Sequence, residues 1–586
     1  MGKKKPKTKA RTKRPVPGAQ QSSNLYSKAI KALHQGDTAT AERLLRTVLQ
    51  ASPRHAEALH ELGVILQARQ DNEPALEAFK AAAEIRPDVA HYHNSIGTTL
   101  LNMGELEAAA TAILEALRLN PEFADAHSKL GSVLMASGNL DEAIFCFRKA
   151  ISLNPMLARA YNNLGNALRE KEDYRGALEC YRKVLEIQPD QYAIFNNMAI
   201  ALGHLERYED AARSLIESLK YNPDSYEAYA NLSDIFKMQG KLQEARQALQ
   251  IAETLTAEKS RVSWNRSFIE FLLGNLQEGW RLYDYGLTTG ARKPVDFGVP
   301  TWDGSPLAGK SIAISAEQGL GDELRFASCF PDVLAQAGHC IINCDQRLES
   351  LYARSFPTAT IFPGRRPETR ASWDTLPAID LQIPAGSLPR YFRNTLDDFP
   401  KQPGYLIPDK ARVSYWTEQL RSLGKTLKVG LLWRSAHITV ERTRTYISSL
   451  SELTPLLEVP GITFINLQYD ENAISEFTQM ASDTEFSLHN FDEIDLKNDL
   501  DELSALLFSL DLVIGSGSAT VSMAGALGVP SWRFTSKGYP GLLGTDYLPF
   551  YPTQTPFLQS TSGSWQTEIE TMAEKLRELA HHGFNS

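Results

Sequence analysis

From about residue 22 to residue 290, apolar and polar positions alternate on the period of an amphipathic helix, and that pattern is itself repeated. Prolines stand at 53, 87, 121, 155, 189 and 223, each 34 residues from the next. A column of small residues keeps the same interval through Gly63, Gly97, Gly131, Gly165, Ala199 and Ser233. Another runs through Ala41, Ala75, Ala109, Ala143, Ala177, Ala211, Ala245 and Gly279. Each unit therefore reads as helix, turn and second helix, followed by a proline that marks the interval between units. Proline has no N–H to donate and would clash inside a helix. The small columns let helices approach closely, and Phe79, Phe147 and Tyr181 fill the space between them. No single unit can bury its own apolar face, so a stacked superhelix is expected.

After PTWDGSPLAGK (300–310) the periodicity changes, and short apolar runs alternate with helical stretches. KSIAIS, HCIINC and ATIFP predict strands of one unit; residues 376–410 read as proline-rich connections. TLKVGLLWRS, GITFINLQYD, DLVIGSG and VPSWRFT predict strands of a second. Strands separated by helices imply parallel sheets with crossover connections. Two such halves in tandem imply a crevice at the carboxyl ends of their strands.

A chain of 586 residues exceeds one core and predicts about three to four domain-sized units. No run of about 18 uninterrupted apolar residues exists, so no membrane span is expected. The N-terminus lacks the apolar segment of a secretory signal, which predicts a cytoplasmic protein. The five cysteines, including Cys340 and Cys344, are too scattered for a disulfide framework and read as buried free thiols. The net charge of −9 conceals eight Lys or Arg within residues 3–14. That block reads as a disordered, solvated tail over residues 1–20, and the acidic remainder makes a nucleic-acid groove unexpected.

Within the array, Asn163, Asn197 and Asn231 form a column, with Asn94, Asn162 and Asn196 beside it. Asparagine is a poor helix former, and its amide suits clamping the backbone of an extended peptide. The first units depart from this column with Glu61, Ser95 and Lys129. In the last unit, 261–286, Trp280, Tyr283 and Tyr285 are expected to meet the following domain. Two glycine turns stand out there. The first is Glu317-Gln318-Gly319-Leu320-Gly321-Asp322, opening a helix with Asp322 at the cleft mouth or as a capping carboxylate. The second is Gly515-Ser516-Gly517-Ser518-Ala519-Thr520, whose free amides suit an anion such as phosphate. Arg434, Arg442 and Arg444 follow a strand and could neutralise a phosphate or carboxylate. Asp499 and Asp501 read as helix-capping residues rather than a metal site, and no metal cofactor is expected.

The 34-residue period is that of the tetratricopeptide repeat, and the asparagine ladder resembles the one lining protein O-GlcNAc transferases. WDGSPLAGKSIAISAEQGLGDELRFASCFP, VGLLWRS, FINLQ, LVIGSGSATVSMAGALGVPSW and LLGTDYLPFYPT resemble the C-terminal region of bacterial tetratricopeptide proteins with a GT-B, heptosyltransferase-like domain. The organisation is similar to that of flagellin glycosyltransferases. The resemblance implies an α-solenoid followed by an α/β GT-B fold of two Rossmann-like halves. The boundaries it implies are 21–294 for the array, 295–420 for the acceptor-side half and 421–586 for the nucleotide-sugar half. It implies an inverting, metal-independent transfer of a sugar to Ser or Thr of a protein acceptor, flagellin being the one expected.

By that resemblance Asp322 is the general base and Glu317 the reserve, with Gln318, Gly319 and Gly321 in the acceptor loop. Arg434, Arg442, Arg444, Gln468, Gly515, Ser516, Gly517, Ser518, Thr520 and Ser522 fall on the donor side. Relatives carry Asp-Thr and a His where this chain has Gly517-Ser518 and Ser522, a departure that favours a one-phosphate donor such as a CMP-sugar, which would fit a nonulosonic acid. It equally suits a scaffold whose transferase fold has lost its chemistry. A nicotinamide-dependent oxidoreductase is the weakest reading, because neither glycine turn has the acidic residue about 20 positions on.

Overall fold

The computed structural model describes residues 17–364, 376–434, 447, 449–560 and 563–582. The basic block, Arg442 and Arg444 lie outside them. The chain forms two compact units, Met1–Asp224 and Ser225–Ser586, so the last helix pairs of the array group with the sheets.

In the first unit, twelve helices among the described residues alternate from Pro17–His34 to Tyr208–Tyr221. The first of them begins inside the segment read as a tail. Each periodic proline falls two residues after a helix end, as Pro87 does after Ile85 and Pro121 after Leu119. The small column is a packing requirement. A Cβ added to Gly63 would lie 2.6 Å from the Phe79 ring, and one on Gly131 would lie 2.7 Å from Phe147. Tyr181 fills the same space beside Gly165.

The turn inside each pair carries another 34-residue column, with backbone in the left-handed region. It is glycine at 36, 104, 138, 240 and 274 (φ +75° to +82°) but Gln70, Glu172 and Glu206 elsewhere (φ +67°, +65° and +60°). Glycine adopts this conformation without a Cβ clash, and the three others do not.

The second unit opens with the helices Tyr226–Met238, Leu242–Leu255, Lys259–Leu272 and Leu276–Tyr283. One sheet then holds β1 (Ser311–Ser315), β2 (His339–Cys344), β3 (Thr360–Pro363) and β4 (Leu381–Pro384), in the order β3-β2-β1-β4. β4 lies inside the stretch expected to be connections. Its short LQIP segment pairs in register with β1, Ile314 opposite Ile383. A second sheet holds β5 (Leu427–Leu432), β6 (Ile462–Asn466), β7 (Leu488–His489), β8 (Leu512–Ser516), β9 (Ser531–Thr535) and β10 (Gln554–Leu558). Its order is β10-β9-β8-β5-β6-β7. Every strand pairing in both sheets is parallel.

A continuous core joins the last array helices to the sheets. Phe271, Trp280 and Tyr283 pack in one cluster with Phe326, Phe399 and Phe550. The indole of Trp280 donates to the Arg393 carbonyl at 2.9 Å. Tyr285, expected to share this role, is only partly buried. All five cysteines are buried and unbridged, and no helix among the described residues is long and apolar enough to cross a membrane. Asp499 caps the helix Leu500–Phe508, accepting from the Glu502 amide at 3.0 Å. Asp501 pairs with Arg354.

Candidate functional site

Strand order in a parallel sheet locates the crevice where connections leave in opposite directions. In the first sheet that point lies between β1 and β4, and the Glu317–Asp322 turn leaves the carboxyl end of β1. In the second it lies between β5 and β8, and the Gly515–Ser518 turn leaves β8. The fold thus carries both glycine turns to equivalent places, and it brings them together. A Cβ on Gly321 would lie 3.5 Å from Ser522 Oγ and 3.8 Å from the Ala519 Cα. Gly321 thus lies within van der Waals reach of the second turn, and its backbone is not in the left-handed region. The residue of this turn in the left-handed region is Gln318, at φ +59°.

Gln318 is held from the array, its side-chain oxygen accepting from the Tyr283 hydroxyl at 2.8 Å. Glu317 is held more firmly. It is 3% exposed, and both of its oxygens accept from Arg292, at 2.6 and 2.7 Å. Oε1 also accepts from the Gly386 amide at 2.7 Å. Arg292 is itself buried and donates further to Ser387 Oγ and Asp284. A carboxylate so enclosed and so fully bonded does not fit the reserve role of proton acceptor; it fixes the turn.

Asp322 lies in the first turn of the helix Leu320–Phe326, whose N-cap is Gly319, so it is not the capping residue. Its side chain is about a third exposed and stands 3.3 Å from the Arg325 guanidinium, one helical turn on. Asp322 is thus the open carboxylate of this turn and Glu317 the closed one.

In the second turn, Gly515 permits β8 to lie against β5, since a Cβ there would be 2.8 Å from the Leu432 carbonyl oxygen. Ser516 is enclosed, donating to the Trp433 carbonyl at 2.6 Å. Ser518 caps the helix Ala519–Leu527 by accepting from the Val521 amide at 3.2 Å. Ser522 donates back to the Ser518 carbonyl at 2.9 Å, and Thr520 is buried. Arg434 and Gln468 do converge at the ends of β5 and β6. The Gln468 side-chain oxygen accepts from the Arg434 amide at 3.2 Å, and its Nε2 donates to Asp470 at 2.9 Å. The Arg434 guanidinium is matched by Asp470 at 3.4 Å and Glu476 at 3.3 Å.

Three residues of this region were not anticipated. Arg325, Arg533 and Tyr539 meet beside the two turns, and the Tyr539 oxygen accepts from Arg325 at 2.7 Å and from Arg533 at 3.1 Å. Burial alone would raise the Tyr539 pKa, but the two guanidinium groups outweigh it and hold the hydroxyl below the usual range. The available signal was the charge in VPSWRFT, since an arginine inside a strand flanked by Trp532 and Phe534 needs a partner when it is buried.

The asparagine columns are partly buried, and three of the six residues bond between repeats. Asn163 Nδ2 donates to Ser132 at 3.1 Å, and Asn197 Nδ2 donates to Asn162 at 3.3 Å. Asn94 Oδ1 and Asn196 Oδ1 are buried with no hydrogen-bond partner among the described residues. Asn231 stands in the second unit on the helix Tyr226–Met238, also partly buried.

Family models for tetratricopeptide repeats match residues 32–96, 95–146, 131–171, 158–191 and 196–259. The helical array is therefore built of tetratricopeptide repeats, which generally mediate protein interactions. The chain is 34% identical over 327 residues to Protein FlbA of Caulobacter vibrioides, covering 54% of each chain. It thus spans about half the length of that curated relative. Among solved structures it is similar to MamA at 31% identity, over 28% of this chain and 94% of that one, with a TM-score of 0.25. It is also similar to pilF of Pseudomonas aeruginosa at 21% identity, over 36% and 97% of the two chains, with a TM-score of 0.33.

Proposed function

We propose that this chain is a protein glycosyltransferase in which tetratricopeptide repeats recruit the acceptor and a two-sheet cleft of GT-B type transfers the sugar. The observation that carries this reading is the meeting of two glycine turns, each at the switch point of its own parallel sheet. Asp322 is the residue suited to take the proton from an acceptor hydroxyl as it attacks the anomeric carbon, because its carboxylate is open while Glu317 is enclosed. The helix Ala519–Leu527 directs its N-terminus at the place where a leaving phosphate would gather charge, and needs no metal to do so. A nucleotide sugar is the donor, with a CMP-sugar favoured, and flagellin Ser or Thr is the acceptor that the sequence resemblance suggests.

Binding of UDP-, GDP-, ADP- and CMP-compounds, read as thermal shifts, tests the donor side; no shift with any nucleotide refutes it. Asp322→Asn tests the chemistry. Its partner Arg325 is only a fifth exposed and keeps its bond to Tyr539, and asparagine retains an oxygen toward it, so the change costs about 1–2 kcal/mol of stability. Acceptor modification should vanish while acceptor pull-down persists. A scaffold without transferase activity is the second reading, favoured by Ser522, whose hydroxyl is engaged inside its own turn.

A further inference from the structure

Arg533 sits in β9 opposite Gly515 of β8 and is 5% exposed. Its guanidinium faces the second glycine turn so closely that a Cβ on Gly517 would lie 2.9 Å from Nη2. Nη2 donates to Tyr539, but Nε and Nη1 are buried and have no hydrogen-bond partner among the described residues. The Tyr539 ring lies 4.7 Å from the Arg533 Cζ and 5.9 Å from that of Arg325. Asp322, the carboxylate of this cluster, pairs with Arg325. Among the described residues Arg533 thus has no carboxylate paired with it, while Arg325 has Asp322. A protein interior does not ordinarily enclose an arginine with two idle donors, because leaving them unpaired is costly. Functional sites are where such groups persist, their missing partner being the ligand.

We propose that Arg533, Arg325 and the Tyr539 hydroxyl form an oxyanion site beside the Gly517 turn, taking a carboxylate or phosphate group of a small ligand. Guanidinium donors on Nε and Nη1, with a phenolic hydroxyl alongside, match the acceptor-only chemistry of such a group. The site shares the cleft of the transferase reading but does not require that transfer take place.

Titration calorimetry on the full chain tests this with two probes, N-acetylneuraminate for a sugar carboxylate and CMP for a phosphate, with cytidine as the uncharged control. At least one anionic probe should bind, and cytidine should bind about tenfold more weakly than CMP if CMP is the one. Arg533→Met should weaken that binding about tenfold or more, the loss expected for hydrogen bonds to a charged group, and Arg533→Lys should fall between. Binding by N-acetylneuraminate alone identifies a carboxylate site and by CMP alone a phosphate site. Failure of both, or undiminished binding by Arg533→Met, overturns the proposal. Without ligand, Arg533→Met should keep or raise the melting temperature, since it removes an unmatched charge. A marked fall would mean that the guanidinium supports the fold, and would equally overturn it. Loss of transfer by Asp322→Asn with probe binding intact separates this site from the catalytic claim.

Discussion

Replacing Glu317 by alanine isolates what holds the turn before Asp322. The substitution removes two charge-assisted bonds to Arg292 and leaves the Gly386 amide without its acceptor. Both side chains of the pair are almost wholly enclosed, so water cannot compensate. Breaking a buried ion pair costs about 3–5 kcal/mol. Asp284 remains 3.0 Å from Arg292, which places the loss near 3–4 kcal/mol at the lower end of that range. For a cooperative unit of residues 225–586, with an unfolding entropy of about 2.1 cal/mol/K per residue, the melting temperature should fall by about 4–5 °C. Scanning calorimetry of the full chain should show that fall in the transition of the second unit. Glu317→Gln keeps an acceptor for Gly386 and should cost about 1–2 kcal/mol. The double change Arg292→Met with Glu317→Met should recover much of the loss, because an apolar pair carries no desolvation cost. A melting temperature unchanged within about 1 °C in Glu317→Ala, combined with lost transfer, would refute the structural assignment and return Glu317 to the chemistry.

Glu172→Gly and Glu206→Gly should each stabilise the array by up to about 1 kcal/mol by relieving a left-handed side chain, read by urea unfolding; a loss of stability would contradict it. Asn163, Asn197 and Asn231 changed together to alanine should weaken acceptor capture in a pull-down and leave nucleotide binding unchanged. Loss of the fold by circular dichroism would show instead that the inter-repeat bonds are their main role. Tyr539 should ionise below the ordinary tyrosine range in an absorbance titration, while burial pushes Tyr551 up to about 12. Because the folded value is the lower one, Tyr539 ionisation adds stability as pH rises through it toward the unfolded value, and Tyr539→Phe should remove that gain.

The array was legible because its constraints are local and recur every 34 residues: a proline stops a helix, and a glycine admits a ring. β4 was not, since LQIP is short and flanked by prolines, and only its pairing with β1 makes it a strand. The glycine turns were visible as motifs, but the division of labour between Glu317 and Asp322 depends on Arg292, 25 residues upstream. Arg533 and Arg325 meet across some 200 residues of chain at Tyr539, a convergence that spacing cannot express. The asparagine columns were read correctly as periodic, yet the nearest claimants for their amides are Ser132 and Asn162 of adjoining helices.

Tyr283 and Arg292 give the last repeat a second occupation, because the conformation of the Glu317–Gln318 turn depends on them. Recombination that grafts a foreign array onto this cleft would have to splice upstream of the helix Lys259–Leu272 and retain everything after it. Diversification of the repeat surface is then confined to the earlier repeats, while the terminal one descends with the two sheets as a single inherited piece.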